Sequence, residues 1–459
     1  MIRAQIFDTS DTIVALATPP GVGAIGVVRL SGVKAFDLAG SVVRKKNFRE
    51  LPSHTVHFAS IYDGNRRLDE AVFTIFKGPR SFTCEDVVEI SVHGSPYILE
   101  ELIQLLLRLG ARLARPGEFT FRAFINGRFD LSQAEAVADL IAADNEHAHR
   151  VAMNQMRGGF TLEIGRLRAQ LVDFASLLEL ELDFSEEDVE FANRKELIAL
   201  LEQLIAVIGH LQASFRLGNV MKNGVATVIA GRPNAGKSTL LNALLNEEKA
   251  IVSHIPGTTR DVIEDVVTLD GVKFRFFDTA GIREAEDHIE AIGVARTLAK
   301  MEQAAIILYL FDLQQTSPSD LKAELSQMKK HNAEVLLVGN KLDAVSTSYL
   351  EAFADFENLY FISAKESTGL KDLENELLNR VYAGQLQDET VVANARHVEA
   401  LSKAKLALEA AVNAFGNQLP TDLVAQEIRL ALHYLGEITG EVTTDDLLGN
   451  IFSKFCIGK

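Results

Sequence analysis

Cysteine is almost missing from this chain of 459 residues: Cys84 and Cys456 are its two, and they stand far apart. Neither belongs to a CxxC pair. That sets aside a disulfide framework or a paired-cysteine metal site and fits a reducing compartment. No uninterrupted hydrophobic run approaches the eighteen or so residues of a membrane span. Met1 to Pro20 holds only the short apolar Ile13–Ala17 and no basic leader. The sequence therefore reads as cytoplasmic and without a secretion signal. Positive charge is in deficit as well, with 46 Lys+Arg against 63 Asp+Glu and a net charge of −17. Such a chain repels a phosphate backbone unless a local basic patch or a partner does the holding. Internal repeats and low-complexity tracts are also absent, and the length predicts roughly two to four domains.

What is present alternates between two regimes. Residues 1–125 carry an α+β pattern, with strands expected at Thr12–Ala17, Ala24–Leu30, Thr55–Ala59, Glu70–Phe76 and Asp86–His93. A short helix is expected from Val33, and a longer one over Tyr97–Leu109. From Ser132 to Leu217 there is no proline and apolar residues recur at three- and four-residue steps, which predicts helices. The acidic stretch Leu178–Glu190 is expected to break them. It reads as a solvated helix end or loop, with a metal-binding cluster as the alternative. Residues 219–383 alternate strand and helix, the pattern of a doubly wound sheet. Strands are expected at 225–230, 262–269, 272–277, 305–311, 335–339 and 359–362. From Asn394 onward the pattern is helical again. The simplest topology inserts the nucleotide-type domain, 219–383, into a helical domain built from 126–218 and 384–459.

The chemistry concentrates in the inserted segment. Gly231-Arg-Pro-Asn-Ala-Gly-Lys-Ser238, followed by Thr239, reads GxxxxGKS between a β-type run and a helical one. That context marks a phosphate loop. Asn234, Ala235 and Gly236 would present backbone N–H groups to the β-phosphate at a helix N-terminus. Lys237 would reach the β- and γ-phosphates, and the Ser238 hydroxyl would ligate Mg2+. Further on, Thr259 is positioned to swing over the nucleotide and complete the Mg2+ shell. Asp278-Thr279-Ala280-Gly281 ends a strand, with Gly281 reporting the γ-phosphate. Asn340-Lys341-Leu342-Asp343 follows an apolar strand, and the Asp343 carboxylate can accept from both the ring N–H and the exocyclic amine of guanine. Ser363-Ala364-Lys365 completes a base pocket. Each motif is weak alone, but four in this order predict GTP binding. Where small GTPases carry a water-orienting glutamine, this chain has Ile282, which cannot orient water. Glu290 is the candidate replacement, or else an exposed acidic side chain; Arg283 is an arginine finger or a surface residue.

Three regions outside these motifs carry a resemblance. They are Thr18–Gly32, Ser81–Ile90 and Arg115–Phe124 in the first unit; Asp130-Leu-Ser-Gln-Ala-Glu-Ala136; and the ending Ile438–Glu441, Asp445–Gly449 and Phe455-Cys-Ile-Gly-Lys459. With them the whole chain resembles the bacterial and organellar tRNA modification GTPase MnmE (TrmE) family. The resemblance implies a Ras-like G domain inserted into an all-α domain, after a tetrahydrofolate-binding-like domain that makes a homodimer. It further implies an FAD-dependent partner, MnmG, and tRNA bound through the complex. The reaction it implies adds an aminomethyl or carboxymethylaminomethyl group to the five-position carbon of a wobble uridine. The one-carbon unit would come from a folate (a 5-formyl- or methylene-tetrahydrofolate). Carried over by position, Arg29, Glu89, Arg128 and Lys459 line the folate pocket; the family often has lysine at 128 and glycine at 84. K+ would stand beside the phosphates, held by Asn234, Ser253, Ile255 and Thr258. The loop Ser253, His254, Ile255, Pro256, Gly257, Thr258 and Thr259 would touch GTP. G domains meeting face to face would bring Glu290 to the attacking water. Cys456, superficially placed for prenylation but followed by the unsuitable Gly458 and Lys459, becomes a candidate functional thiol near the folate, beside the reading of a plain buried cysteine.

Two other functions use the same features. A ribosome-assembly switch has a similar G domain but usually appends a basic RNA-binding domain, for which no segment is evident. A folate-sensing scaffold would use GTP only to control assembly.

Overall fold

The computed structural model describes residues 10–44, 47–183, 194–246, 264–278, 304–328, 334–382, 392–417, 419–453, 455, 457 and 458. The chain forms two compact units. One comprises Met1–Ala142, Ala152–Gly209 and Arg396–Lys459; the other comprises Ala143–Val151 and His210–Ala395.

The first unit opens with a six-stranded sheet in the order β3-β4-β5-β2-β1-β6. Its strands are β1 (Ile13–Leu16), β2 (Ile25–Ser31), β3 (Thr55–Asp63), β4 (Arg66–Phe76), β5 (Val87–His93) and β6 (Arg112–Leu113). All neighbours are antiparallel except β1 and β6. Alternation explains the burial: Val28 and Leu30 of β2 face a core with Phe73 and Ile75 of β4 and Ile90 of β5. Helices α1 (Ala35–Val43) and α2 (Pro96–Arg108) cover that core, α2 through Leu99, Leu102, Leu105 and Leu106 at helical spacing. The register sets Arg29 of β2 directly opposite Glu89 of β5.

Helices then take over: α3 (Glu118–Ile125), α4 (Leu131–Ala142), α5 (Glu146–Met156), α6 (Gly159–Asp183) and α7 (Arg194–Asn223). α3 was not anticipated, because Arg122 and Glu118 interrupt its apolar pattern, yet both are fully buried. They neutralise each other: Arg122 pairs with Asp11, Glu85 and Glu118, while Arg112 joins Asp11 and Glu118. Paired charge is the condition under which burial is tolerated. α6 runs into the acidic stretch and its described part ends within it at Asp183, with Glu181 buried. Residues 184–190 lie outside the described ones.

One helix departs from the expectation about apolar runs. Among the described residues, α7 is long and apolar enough to cross a membrane by length and composition. Its fully buried Leu197, Leu201, Leu204, Ile208 and Leu211 recur every three or four positions, the stripe of a core helix. The two helical parts of the chain meet in this unit. α11 (Ala395–Gly416) anchors to α4 through Arg396 and His397, which both bond Glu135. α12 (Thr421–Thr439) lies along α6, with Arg429 pairing Glu179 at 2.9 Å. The insertion of the sheet domain between two halves of one helical domain is thereby established. The short α13 (Asp445–Phe452) sends Phe452 and Phe455 back among Phe121 and Leu131.

The second unit holds another six-stranded sheet, in the order β12-β11-β10-β7-β9-β8. These are β7 (Val225–Ala230), β8 (Glu264–Leu269), β9 (Val272–Asp278), β10 (Ile306–Asp312), β11 (Glu334–Asn340) and β12 (Leu359–Phe361). Every pairing is parallel save β8 with β9. β10 is buried along its whole length, as a central parallel strand covered on both faces must be. α8 (Lys237–Asn246), α9 (Pro318–Met328) and α10 (Leu370–Tyr382) are its longer helices among the described residues. β7 stands between β10 and β9, so the chain leaves the sheet at β7 where the strand order reverses. Ligands of such sheets bind at that place, beyond the carboxyl ends of the strands.

Candidate functional site

β7 ends at Ala230 and α8 begins at Lys237, so residues 231–236 form the loop at the switch point. The loop turns through left-handed backbone at Asn234 (φ 62°) and Gly236 (φ 98°). A Cβ on Gly236 would collide with the Asn340 side-chain nitrogen, so glycine is required there. Ala235 is buried and anchors the loop to the core. Lys237 Nζ donates to the carbonyls of Gly231 (3.0 Å) and Arg232 (2.9 Å), which holds the ammonium across the loop. Ser238 and Thr239 are exposed in the first turn of α8, the end of a helix whose backbone dipoles favour an anion. These residues fit a Mg2+–phosphate group: a hydroxyl donor, a lysine, and a glycine cradle that a side chain would fill.

Asn340 is the knot of the site. Its Nδ2 donates to Ala235 O at 2.8 Å, and its Oδ1 accepts from Ala364 N at 3.0 Å. One buried amide thus ties the phosphate loop to the segment Ser363–Lys365. Asp343 follows on a short turn, and its Oδ1 accepts from Ser363 Oγ at 2.6 Å. That bond holds the Asp343 carboxyl below the usual aspartate range. Leu342 N donates to Ile362 O at 3.0 Å, which fixes the turn against the end of the sheet. Lys365 is exposed and pairs only loosely with Glu366, at 3.3 Å. Asp278 closes β9 with its backbone in register with Ile229 of β7, next to the phosphate loop. The Asp343 carboxylate, the Asn340 amide and the phosphate loop therefore converge on one end of one sheet. Ser253, His254, Ile255, Pro256, Gly257, Thr258, Thr259, Thr279, Ala280, Gly281 and Glu290 lie outside the described residues.

A second cleft opens in the first unit. It has a volume of about 610 Å³ and is lined by His54, Arg80, Ser81, Phe82, Cys84, Glu89 and Arg128, among others. Arg29 holds Glu89 through Nε at 2.9 Å and a second nitrogen at 2.8 Å. The Arg29 guanidinium also donates to Gly458 O at 3.2 Å and lies 5.6 Å from the Phe82 ring centre. Arg128 bonds the Ser81 carbonyl and stacks on Phe82 and Phe129 at 5.5 and 5.2 Å. Gly458 sits at φ 96°, where a Cβ would strike the Leu16 carbonyl, so the tail packs tightly on β1. Of the residues the resemblance assigns to a folate pocket, Glu89 and Arg128 line this cleft and Arg29 bonds Glu89. Lys459 and Cys456 lie outside the described residues. Cys84, at the position where the resemblance led us to expect glycine, adopts φ 60°, a left-handed conformation that glycine takes without strain.

Sequence reasoning missed three groups. Asp312 pairs with Lys341 at 2.6 Å, and the signal was an acidic residue ending a fully apolar strand. Glu324 pairs with Arg232 of the phosphate loop and accepts from the Tyr309 hydroxyl; with burial, that contact pushes the phenol above its usual range. The network of Arg122, Arg112, Asp11, Glu85 and Glu118 backs the loop that lines the cleft, through Glu85 and its bond from Ser31 Oγ at 2.6 Å.

A phosphate loop and an Asn340–Asp343 turn, tied by one buried amide at the switch point of a mostly parallel sheet, define the class: a P-loop GTPase, with its nucleotide domain inserted in the sequence of a helical domain. The family description "MnmE helical domain" matches residues 131–456, and "GTP-binding protein TrmE N-terminus" matches residues 12–128. The tRNA modification GTPase MnmE of Cytophaga hutchinsonii is 57% identical over 460 residues, covering 100% of both chains. Those of Flavobacterium psychrophilum and Bacteroides thetaiotaomicron are 51% and 45% identical, each over 98% of this chain and 99% of the relative. The chain belongs to the tRNA modification GTPase MnmE family, and it is a GTP-hydrolysing enzyme.

Proposed function

We propose that this GTPase works in a tRNA modification complex with an FAD-dependent partner, MnmG. The complex adds an aminomethyl or carboxymethylaminomethyl group to the five-position carbon of the wobble uridine, in the cytoplasm. The observation that carries the folate part of the reading is the cleft lined by Glu89 and Arg128, with Arg29 bonding both Glu89 and the Gly458 carbonyl of the returning tail. A carboxylate suits the amide and amine edge of a pterin, and guanidinium groups suit the carboxylates of the folate tail. Lys459 would add a further cation and Cys456 a thiol. Aromatic rings under both arginines fit a flat heterocycle. When bound, the folate supplies the one-carbon unit; this chain's residues orient it.

In the G domain, Ser238 and Thr259 would hold Mg2+, and Asn234, Ser253, Ile255 and Thr258 would hold K+. The left-handed backbone at Asn234 turns the loop at the position assigned to K+. Glu290 would orient water once two copies of the chain associate. The deficit of basic residues fits a chain whose partner supplies much of the tRNA surface. The division at residues 125, 218 and 383 belongs to the same reading.

The test is the nucleoside content of tRNA, by mass spectrometry, from cells lacking the gene and from cells complemented with wild type, Glu290→Ala or Cys456→Ser. Loss of the five-position wobble-uridine modifications, restored by wild type alone, is the expected result. Unchanged nucleosides in the deleted strain would refute the tRNA reading and leave a ribosome-assembly switch in its place.

A further inference from the structure

The guanine-reading loop contains a conflict that its sequence does not reveal. Asp343 needs its carboxylate for the base, yet Lys341 stands two residues away with an ammonium that carboxylates attract. Lys341 is held in left-handed backbone at φ 67°, and its Nζ bonds Asp312 Oδ2 at 2.6 Å. The Asp312 side chain is only 6% accessible while that of Lys341 is 34% accessible, so the contact is screened on the lysine side and dry on the aspartate side. The carboxylate is itself fixed. It ends β10 in register with Asn340, and its Oδ1 accepts from Gln314 N at 2.9 Å. Thr316 N and Gln315 N donate to the Asp312 carbonyl at 3.0 and 3.1 Å, which locks the turn that presents it.

We propose that Asp312 is a positioning residue for base selection: it holds the Lys341 ammonium, so that the Asp343 carboxylate stays available to the guanine edge. A buried acceptor is a better partner for the ammonium than a carboxylate open to water, because the same Coulomb attraction is screened less. Removing the Asp312 charge frees the ammonium to pair with Asp343. Guanine then competes with an ion pair for two hydrogen bonds, and a base without the exocyclic amine competes for one. Asp312 is thus a determinant of guanine over hypoxanthine without touching either.

The inference rests on Asp343 as the guanine reader, and the experiment separates the two. Affinities of the full chain for GDP, IDP and XDP are measured by calorimetry, with thermal melts to confirm folding. Asp343→Asn exchanges an acceptor for an amide donor and should shift preference from GDP toward XDP, whose ring carries a carbonyl in place of the amine. If it does not, the base-pocket reading fails. Given that shift, Asp312→Asn should lower the GDP-to-IDP affinity ratio by about tenfold, the size of one charge-assisted hydrogen bond. Adding Lys341→Met, which keeps the aliphatic stem, should restore the ratio. A ratio unchanged in folded Asp312→Asn, or unrestored by Lys341→Met, overturns the proposal. Lys341→Met alone gives an independent test should Asp312→Asn not fold: the ratio must be kept or raised, and a fall refutes competition between the ammonium and the base.

Discussion

Cys84 shows how a single backbone angle carries information that side-chain contacts do not. At φ 60° it occupies a conformation that disfavours any residue with a Cβ by roughly 1–2 kcal/mol. Glycine gives back part of that through the entropy of the unfolded chain. Cys84→Gly should therefore raise stability by about 0.5–1 kcal/mol, read as a higher urea midpoint at unchanged slope. A lower midpoint would mean that the thiol's contacts outweigh the strain. Gly236 makes the opposite case. Its φ of 98° and the Asn340 amide leave no room for a methyl group, so Gly236→Ala should abolish GDP binding in a titration while the N-terminal cleft stays intact.

Among the elements, the join between α4 and α11 depends on one carboxylate. Burial alone would raise the Glu135 pKa, but hydrogen bonds and charge from His397, and then from Arg396, overcome it and hold Glu135 at about 2. Its ordinary value is 4.5, so the unfolded chain takes up the proton first as pH falls. The stability it contributes is fully present above about 4.5 and is lost as pH drops toward about 2. Glu135→Gln should flatten the acid side of the stability profile across that window. Breaking a buried pair by removing one partner should also cost about 3 kcal/mol at neutral pH. Urea unfolding at several pH values checks both; an unchanged acid profile would show that the network contributes nothing to pH dependence. The same join answers a question that periodicity leaves open, since helical spacing on either side of an insertion does not say that the two halves pack.

For the whole molecule, the returning tail links the last residues of the chain to the first domain. Arg29 reaches Gly458 across a separation of 429 positions, and Phe452 packs edge-on against Phe121 with ring centres 5.3 Å apart. Deleting residues 456–459 should leave α13 seated, because its anchor is Phe452, but should weaken tetrahydrofolate binding at least about tenfold, the loss expected for one charge-assisted contact. GDP affinity should stay at the wild-type level. Equilibrium dialysis with each ligand decides it: equal folate binding with and without the tail would detach the tail from the cleft.

Local pattern by itself determined much here. The longer strands of both sheets follow from alternation or continuous apolar character, most helices from three- and four-residue spacing, and the phosphate loop from glycines placed between strand and helix; the two-residue β6 and the charged α3 do not. Those signals are legible because each depends on neighbours a few residues away. Tertiary structure alone decided which charges are buried and what they hold. Arg122 and Glu118 look like surface residues until Asp11 and Glu85 arrive from distant segments, and Asp312 looks like the end of a strand until the sheet lays it beside Lys341. The reason is physical: a charge can leave water only when a partner meets it, and the partner is chosen by the register of strands and helices far apart in the chain.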